Sequence, residues 1–183
     1  MANYEEALKA MEVVIDYISK GNSDEHTKDT PARYLKAWEN DWGKGYNYEM
    51  NFTTFLAEND DLVIERNIPV FSHCAHHLAP IKGVAHIAYI PDKRIVGLSK
   101  LNRTVEKYAR RLQVQERLTS QIANYLMSKL QPKGVMVVIE AEHMCVSTRG
   151  VKHHNCLTTT SSIKGIFEED DSLRKETLDL IRR

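Results

Sequence analysis

Apolar positions recur along this chain in blocks whose period changes, and each change marks an element. Tyr4, Leu8, Met11, Ile15 and Ile18 repeat at helical spacing with charged residues between them, and Gly21 follows as a stop. An amphipathic first helix is predicted. After the polar stretch 22–29, Thr30 is placed to cap a second helix with Pro31 at its first position, and Leu35, Trp38 and Trp42 form its stripe before Gly43. Residues 43–58 carry no clear period and read as loop with at most one short strand. Residues 62–70 read as a strand. Residues 84–90, bounded by Gly83 and Pro91, read as another, and Pro91-Asp92-Lys93 is turn chemistry leading to a strand at residues 94–98, so these two are predicted to pair as a hairpin.

Ser99 is placed to cap a long helical tract in which Leu101, Val105, Tyr108 and Leu112 keep one face apolar, while Glu106 and Arg110 fall four apart on the other. The stripe loses phase near Gln113 and resumes as Leu118, Ile122, Leu126 and Leu130, which predicts two helices, or one with a kink, joined at residues 113–115. Residues 134–141 form a nearly continuous apolar, β-branched run and read as a buried strand. Its alternation, continued, gives His143 and Cys145 the same parity and one side. Arg149-Gly150 reads as a turn, residues 157–163 as a last strand rich in Thr and Ser, and residues 172–182 as a charged terminal helix. Repeats, low-complexity tracts and linkers are not found.

Composition narrows the function classes. With 183 residues, 42% hydrophobic and 27% charged, the chain has the size of one compact domain with a helical extension. Its 25 basic and 25 acidic residues cancel, so no global field draws it to nucleic acid or to an anionic membrane, and any anion site must be local. Three cysteines argue against a disulfide framework and suit a reducing compartment. The first residues lack the basic and apolar regions of a signal peptide, and no apolar run approaches spanning length. A cytoplasmic location is expected.

The chemistry concentrates in Phe71 to Pro80, which packs Cys74, His76 and His77 together with His73. Its complement lies downstream, where Cys145 follows His143. Thiolate and imidazole suit a borderline-soft divalent ion such as zinc, and Cys74 and His77 are three apart, close enough to clamp one ion. Cys145 completes a Cys2His set, leaving the fourth tetrahedral position open as in catalytic zinc sites. His76 and His143 are then unliganded imidazoles fit for proton transfer. A lone Cys-x-x-His is a weak signal, buried cysteine also serves as a small hydrophobe, and His153, His154 and Cys156 form a competing ligand set.

Two further features are open to two readings each. Ser99-Lys100-Leu101-Asn102-Arg103 places two cations three apart on the first turn of a predicted helix, where free N–H groups and the dipole favour phosphate, with Arg149 beside Gly150 as a further guanidinium. Such cations also occur as a solvated face. Glu116, preceded by Gln115 at the helix junction, can accept the ring N–H and exocyclic amine of a guanine-like edge; it can equally be a surface partner of Arg117.

Cys74-Ala75-His76-His77, Ala88-Tyr89-Ile90-Pro91, Gly97-Leu98-Ser99-Lys100, Val114-Gln115-Glu116-Arg117-Leu118-Thr119 and His143-Met144-Cys145, then Arg149-Gly150-Val151, resemble in order and spacing the motifs of type I GTP cyclohydrolase. The resemblance starts at Asp29-Thr30-Pro31 and Arg33 and covers nearly the whole chain. It implies an α+β tunnelling fold, an antiparallel sheet with two helices on one face, with residues 1–60 as a helical amino-terminal region and residues 61–183 as the catalytic domain. It implies conversion of GTP and water to 7,8-dihydroneopterin triphosphate and formate, with Cys74, His77 and Cys145 holding zinc and water activated there attacking C8 of the purine. His76 matches the imidazole that moves protons at N7, Ser99 and His143 match residues of later proton transfers, and Gln115 and Glu116 match the guanine-recognition pair. Lys100, Arg103, Arg149 and Arg33 match the triphosphate cradle. Family members form homodecamers of two face-to-face pentamers with active sites between subunits. Ala75 departs from the family's usual Glu at that position, which predicts an active enzyme with altered metal dependence. Two other readings remain: a related tunnelling-fold enzyme acting on a pterin or deazaguanine, and a zinc-stabilised assembly protein without catalysis. Formate release separates the first from both.

Overall fold

The computed structural model describes residues 2–183. The chain divides into two compact units, one ending at Lys44 and one spanning Gly45–Arg183.

In the amino-terminal unit, α1 (Tyr4–Ser19) begins with a reciprocal cap: Asn3 accepts the Glu6 backbone N–H and the Glu6 carboxylate accepts that of Asn3, each at 2.9 Å. Lys20 turns left-handed and ends the helix just ahead of Gly21. In α2 (Thr30–Ala37), Thr30 is already helical and Asp29 stands at the cap position, which corrects the expected Thr30 cap. The Asp29 carboxylate is used instead by Arg33, four residues on at 3.0 Å. One wide turn, Trp38–Trp42, carries the stripe onward, with Tyr34, Trp38 and Trp42 in mutual edge-to-face contact.

The second unit is built on a sheet of β2 (Val63–Cys74), β3 (Pro80–Ile90), β5 (Leu112–Gln113), β6 (Gly134–His143) and β7 (Leu157–Gly165), in the order β5-β2-β3-β6-β7. Every pairing is antiparallel except the two-residue β5, which runs parallel to the end of β2. The expected hairpin of residues 84–90 with 94–98 does not form. Both edges of β3 are already taken by β2 and β6, so β4 (Arg94–Val96) turns away and pairs with β1 (Thr54–Leu56). Gly83 permits the closest approach of β3 to β6, since a Cβ there would sit 2.0 Å from the Glu140 carbonyl oxygen.

Alternation sorts the sheet into two faces. Ala85, Ile87, Tyr89, Val135, Val137, Ile139 and Ala141 face α3 (Leu98–Ala109) and α4 (Gln115–Leu130), whose Leu101, Val105, Leu118, Ile122 and Leu126 complete the larger core. The expected pair of helices on one face is present. Ala88, Ile90, Met136 and Val138 point the other way, onto Phe167 of the short α6 (Ile166–Glu169) and onto Leu173, Leu178 and Ile181 of α7 (Asp171–Arg182). Gly97, in an extended conformation, is the residue before α3, so Ser99 lies inside the first turn instead of capping it. Among the described residues, no helix is long and apolar enough to cross a membrane.

On the α7 face His86 is buried, its Nδ1 accepting the Asn67 backbone N–H at 3.4 Å while Nε2 has no partner. Burial pushes its pKa below the ordinary histidine value; Glu140 opposes that shift and Arg66 adds to it. The unfolded chain therefore takes up this proton at a higher pH than the folded one. The stability from a neutral His86 is complete above the unfolded value of about 6.5 and is lost as pH falls through the folded value. Thermal melts compared at about pH 7.5 and about pH 5.5 should show a larger loss for the wild-type protein than for His86→Gln; equal losses would contradict this assignment.

Candidate active site

The end of β2 delivers Cys74 to a tight connection into β3. There the Cys74 N–H donates to the Ala79 carbonyl at 2.8 Å, the Leu78 N–H donates to Cys74 O at 2.9 Å, and Leu78 is left-handed. Ala75 ties this turn to the next element, its N–H donating to the Gln113 carbonyl at 2.9 Å. That bond and the parallel pairing of Cys74 with Gln113 set the start of α4, and hence Gln115 and Glu116, beside the turn. From the other side β6 brings His143, in register with Ile81 of β3. The chain then leaves the strand as a single helical turn, α5 (Met144–Ser147), so Cys145 is placed by helix geometry. The expected continuation of strand alternation through Cys145 is thereby corrected.

One cleft results, lined by Cys74, His76, His77, Gln115, Glu116, His143 and Cys145, together with Gln113, Val114, Val146 and Thr158. The ligand atoms of Cys74, His77 and Cys145 all lie within 4.8 Å of one another, and Cys74 Sγ is 3.8 Å from His77 Nδ1. Tetrahedral zinc with bonds of 2.0–2.3 Å needs ligand separations of about 3.5–3.8 Å, so these side chains fit one ion after small adjustments. His76 Nδ1 is also 3.8 Å from Cys74 Sγ, but its ring stands edge-on to that of His77. Among the described residues, no other group of this kind, including His153, His154 and Cys156, brings three metal-ligating side chains together.

Electrostatics agree with an ion at this point. Burial, and then the neighbouring Cys74, push the Cys145 thiol up, while the Arg149 charge pulls it down. A Cys145 thiol so placed ionises readily only when a cation takes it, as a metal does. His143 is lowered by burial, with Glu116 acting in the opposite direction.

The other expected site residues are not in this cleft. Asn102 of α3 donates to Glu65 near the start of β2 at 3.1 Å, whereas Arg110 at the helix end lies over the Phe71 ring. The helix thus runs the length of β2, and Ser99 is removed from the Cys74 end by ten residues, about 15 Å of helix. Arg103 lines a separate groove with Ile68, Pro69, Phe71, Glu106 and Arg110. Arg149 is exposed on the segment after α5 but within electrostatic reach of Cys145. Arg33 lies in the amino-terminal unit, paired with Asp29.

Comparison with known proteins agrees with this arrangement. The model of the family described as GTP cyclohydrolase I matches residues 7–182. The chain belongs to the GTP cyclohydrolase I family. A relative named GTP cyclohydrolase 1 from Gloeobacter violaceus is 48% identical over 176 residues, covering 96% of this chain and 82% of its own length. One of the same name from Aquifex aeolicus is 44% identical over 178 residues, with 97% and 96% covered. Among solved structures, an archaeosine synthase QueF-like protein in the apo form superposes with a TM-score of 0.50 at 15% identity, covering 59% of this chain and 97% of that one. That likeness concerns the fold alone, which is the tunnelling fold in both.

Reasoning from spacing did not find the polar contacts behind the GTP cyclohydrolase I cleft. Gln113 is buried and donates to the Tyr108 carbonyl and to Gln121, while Arg117 donates to its side-chain oxygen. Thr119 and Thr160 meet at 2.6 Å across α4 and β7. The one local hint was a run of polar residues on an otherwise apolar stripe.

Proposed function

We propose that this GTP cyclohydrolase I is a cytoplasmic, zinc-dependent enzyme that converts GTP and water to 7,8-dihydroneopterin triphosphate and formate. The supporting observation is the cleft itself, in which a Cys2His ligand set, two further imidazoles and a guanine-matching carboxylate converge. Cys74, His77 and Cys145 would hold the zinc, which when bound supplies Lewis acidity for hydration of the purine at C8. The Glu116 carboxylate, exposed at the start of α4, accepts the ring N–H and amine of the guanine edge, with Gln115 preceding it. His76 gives a proton to N7 as the five-membered ring opens, and His143 and Ser99 move protons while the freed ribose rearranges and the pterin ring closes.

Ser99, Lys100 and Arg103 serve such a site from a second copy of the chain, because their own helix holds Ser99 about 15 Å and Arg103 about 9 Å back from the Cys74 end, and Arg103 opens onto a different groove. A homodecamer of two pentamers, with Lys100 and Arg103 of one subunit meeting the Cys2His cleft of another, satisfies that distance. Arg149 joins the triphosphate cradle from the cleft's own chain, and Arg33 is assigned to it as well. Residues 61–183 act as the catalytic region; of residues 1–60, the helical part is the unit ending at Lys44, while residues 45–60, with β1, belong to the same compact unit as the catalytic region.

Zinc-loaded protein given GTP should release formate and pterin in equal amounts, both lost in His76→Ala. Bound zinc without formate would reject the reading.

A further inference from the structure

Gln115 is buried, 2% exposed, although it opens a helix and lines the cleft. Its amide nitrogen donates to the carbonyl oxygens of Ile139 at 3.1 Å and Thr158 at 2.8 Å, with Thr160 Oγ1 at 3.2 Å. A carbonyl oxygen only accepts, so these partners fix which end of the amide is nitrogen. The remaining oxygen, Oε1, lies 2.6 Å from His143 Nε2. An amide oxygen accepts in turn, so Nε2 carries the hydrogen.

The surrounding hydroxyls fit the same proton order. Thr119 donates to the Gln115 carbonyl at 2.8 Å, so in its 2.6 Å contact with Thr160 it must accept. Thr160 then donates there and keeps lone pairs for the Gln115 amide N–H. The donor and acceptor directions agree along the chain Thr160, Thr119, Gln115, His143, with the two Gln115 amide hydrogens shared among three acceptors.

We infer that Gln115 is a positioning residue that holds His143 as the Nε2–H tautomer and leaves Nδ1 as its one basic nitrogen. The role rests on the reading of His143 as a proton-transfer group and deepens it. With both amide hydrogens and the oxygen committed inside the protein, Gln115 acts on the reaction through His143, and reading of the guanine edge by a side chain falls to Glu116. A wrong tautomer presents a hydrogen where a lone pair is required, which is a loss of chemistry and not of substrate binding.

The test compares wild type with Gln115→Met, which keeps length and removes the hydrogen bonds. Zinc-loaded proteins labelled with 15N-histidine are examined by solid-state NMR, with His143→Asn locating the His143 signals. The wild type should show His143 protonated at Nε2, and the variant a mixture of tautomers. In steady-state assays kcat should fall at least about tenfold, within the roughly 10²–10⁴-fold worth of the acid–base group being held, with KM for GTP changed less than about twofold. A raised KM at unchanged kcat would overturn the inference in favour of direct guanine contact. So would a wild-type His143 protonated at Nδ1, a result that decides the matter even if the variant fails to fold. Absence of turnover in the wild type would reject the proposed reaction, and the wild-type spectrum would still decide the tautomer.

Discussion

Cys145→Ser should lose its bound zinc and at least about 10²-fold of its activity, more than the 10- to 100-fold typical of removing a residue behind a ligand, whereas Cys156→Ser should keep both. Serine is nearly isosteric and Cys145 is only partly buried at the margin of the larger core, so folding is not the expected casualty. The loss follows from donor chemistry: a serine hydroxyl stays protonated where a thiol ionises to thiolate in the field of the metal. Cys156 does not share a ligand cluster with Cys74 and His77. Zinc content and turnover measured on the two variants check this. Zinc lost from Cys156→Ser and retained by Cys145→Ser would reverse the ligand assignment.

The second large effect is recovery of activity between two inactive proteins. Under the proposed assignment Cys145→Ser loses a metal ligand and Arg103→Ala a phosphate cation, so each alone should be close to inactive. If Arg103 serves the cleft of another subunit, random co-assembly in equal amounts gives about one quarter of the sites an intact pair, and about a quarter of wild-type activity. The geometric ground is α3, which carries Arg103 into a groove against Ile68 and Phe71, away from the Cys2His cleft. Activity from co-expressed variants, compared with either alone, measures this. Co-assembled protein as inactive as its parents would place both residues in one chain's site.

The coming together of Cys74, His77 and Cys145 was legible because two of them are three residues apart and the third follows a long apolar strand. Residue type alone left His153, His154 and Cys156 as a rival set, and the family resemblance chose between them. The pairing of strands was not legible: the turn after Ile90 is well formed in sequence, yet β3 spends both edges on β2 and β6, and only tertiary structure shows that. Cys145 was expected on the right side for the wrong reason, since the strand stops at His143 and one helical turn completes the approach. The helix of residues 172–182 was visible as a charged terminal helix, but not the sheet face that its Leu173, Leu178 and Ile181 cover. The bond of Gln115 to His143 spans 28 residues and that to Thr160 spans 45, separations at which periodicity carries no signal. Ala75 donates its backbone N–H to Gln113, so the turn keeps this tether with a methyl side chain where the resemblance implies a carboxylate.

The most direct measurement is a titration of metal-stripped protein with zinc in the presence of GTP labelled with 13C at C8, following label in formate. The account predicts that labelled formate is absent before zinc is added, rises in proportion to it and levels off at about one ion per chain, as three ligands in one cleft require. Formate released without metal, or a cleft filled with zinc and label that stays in the purine, would contradict it.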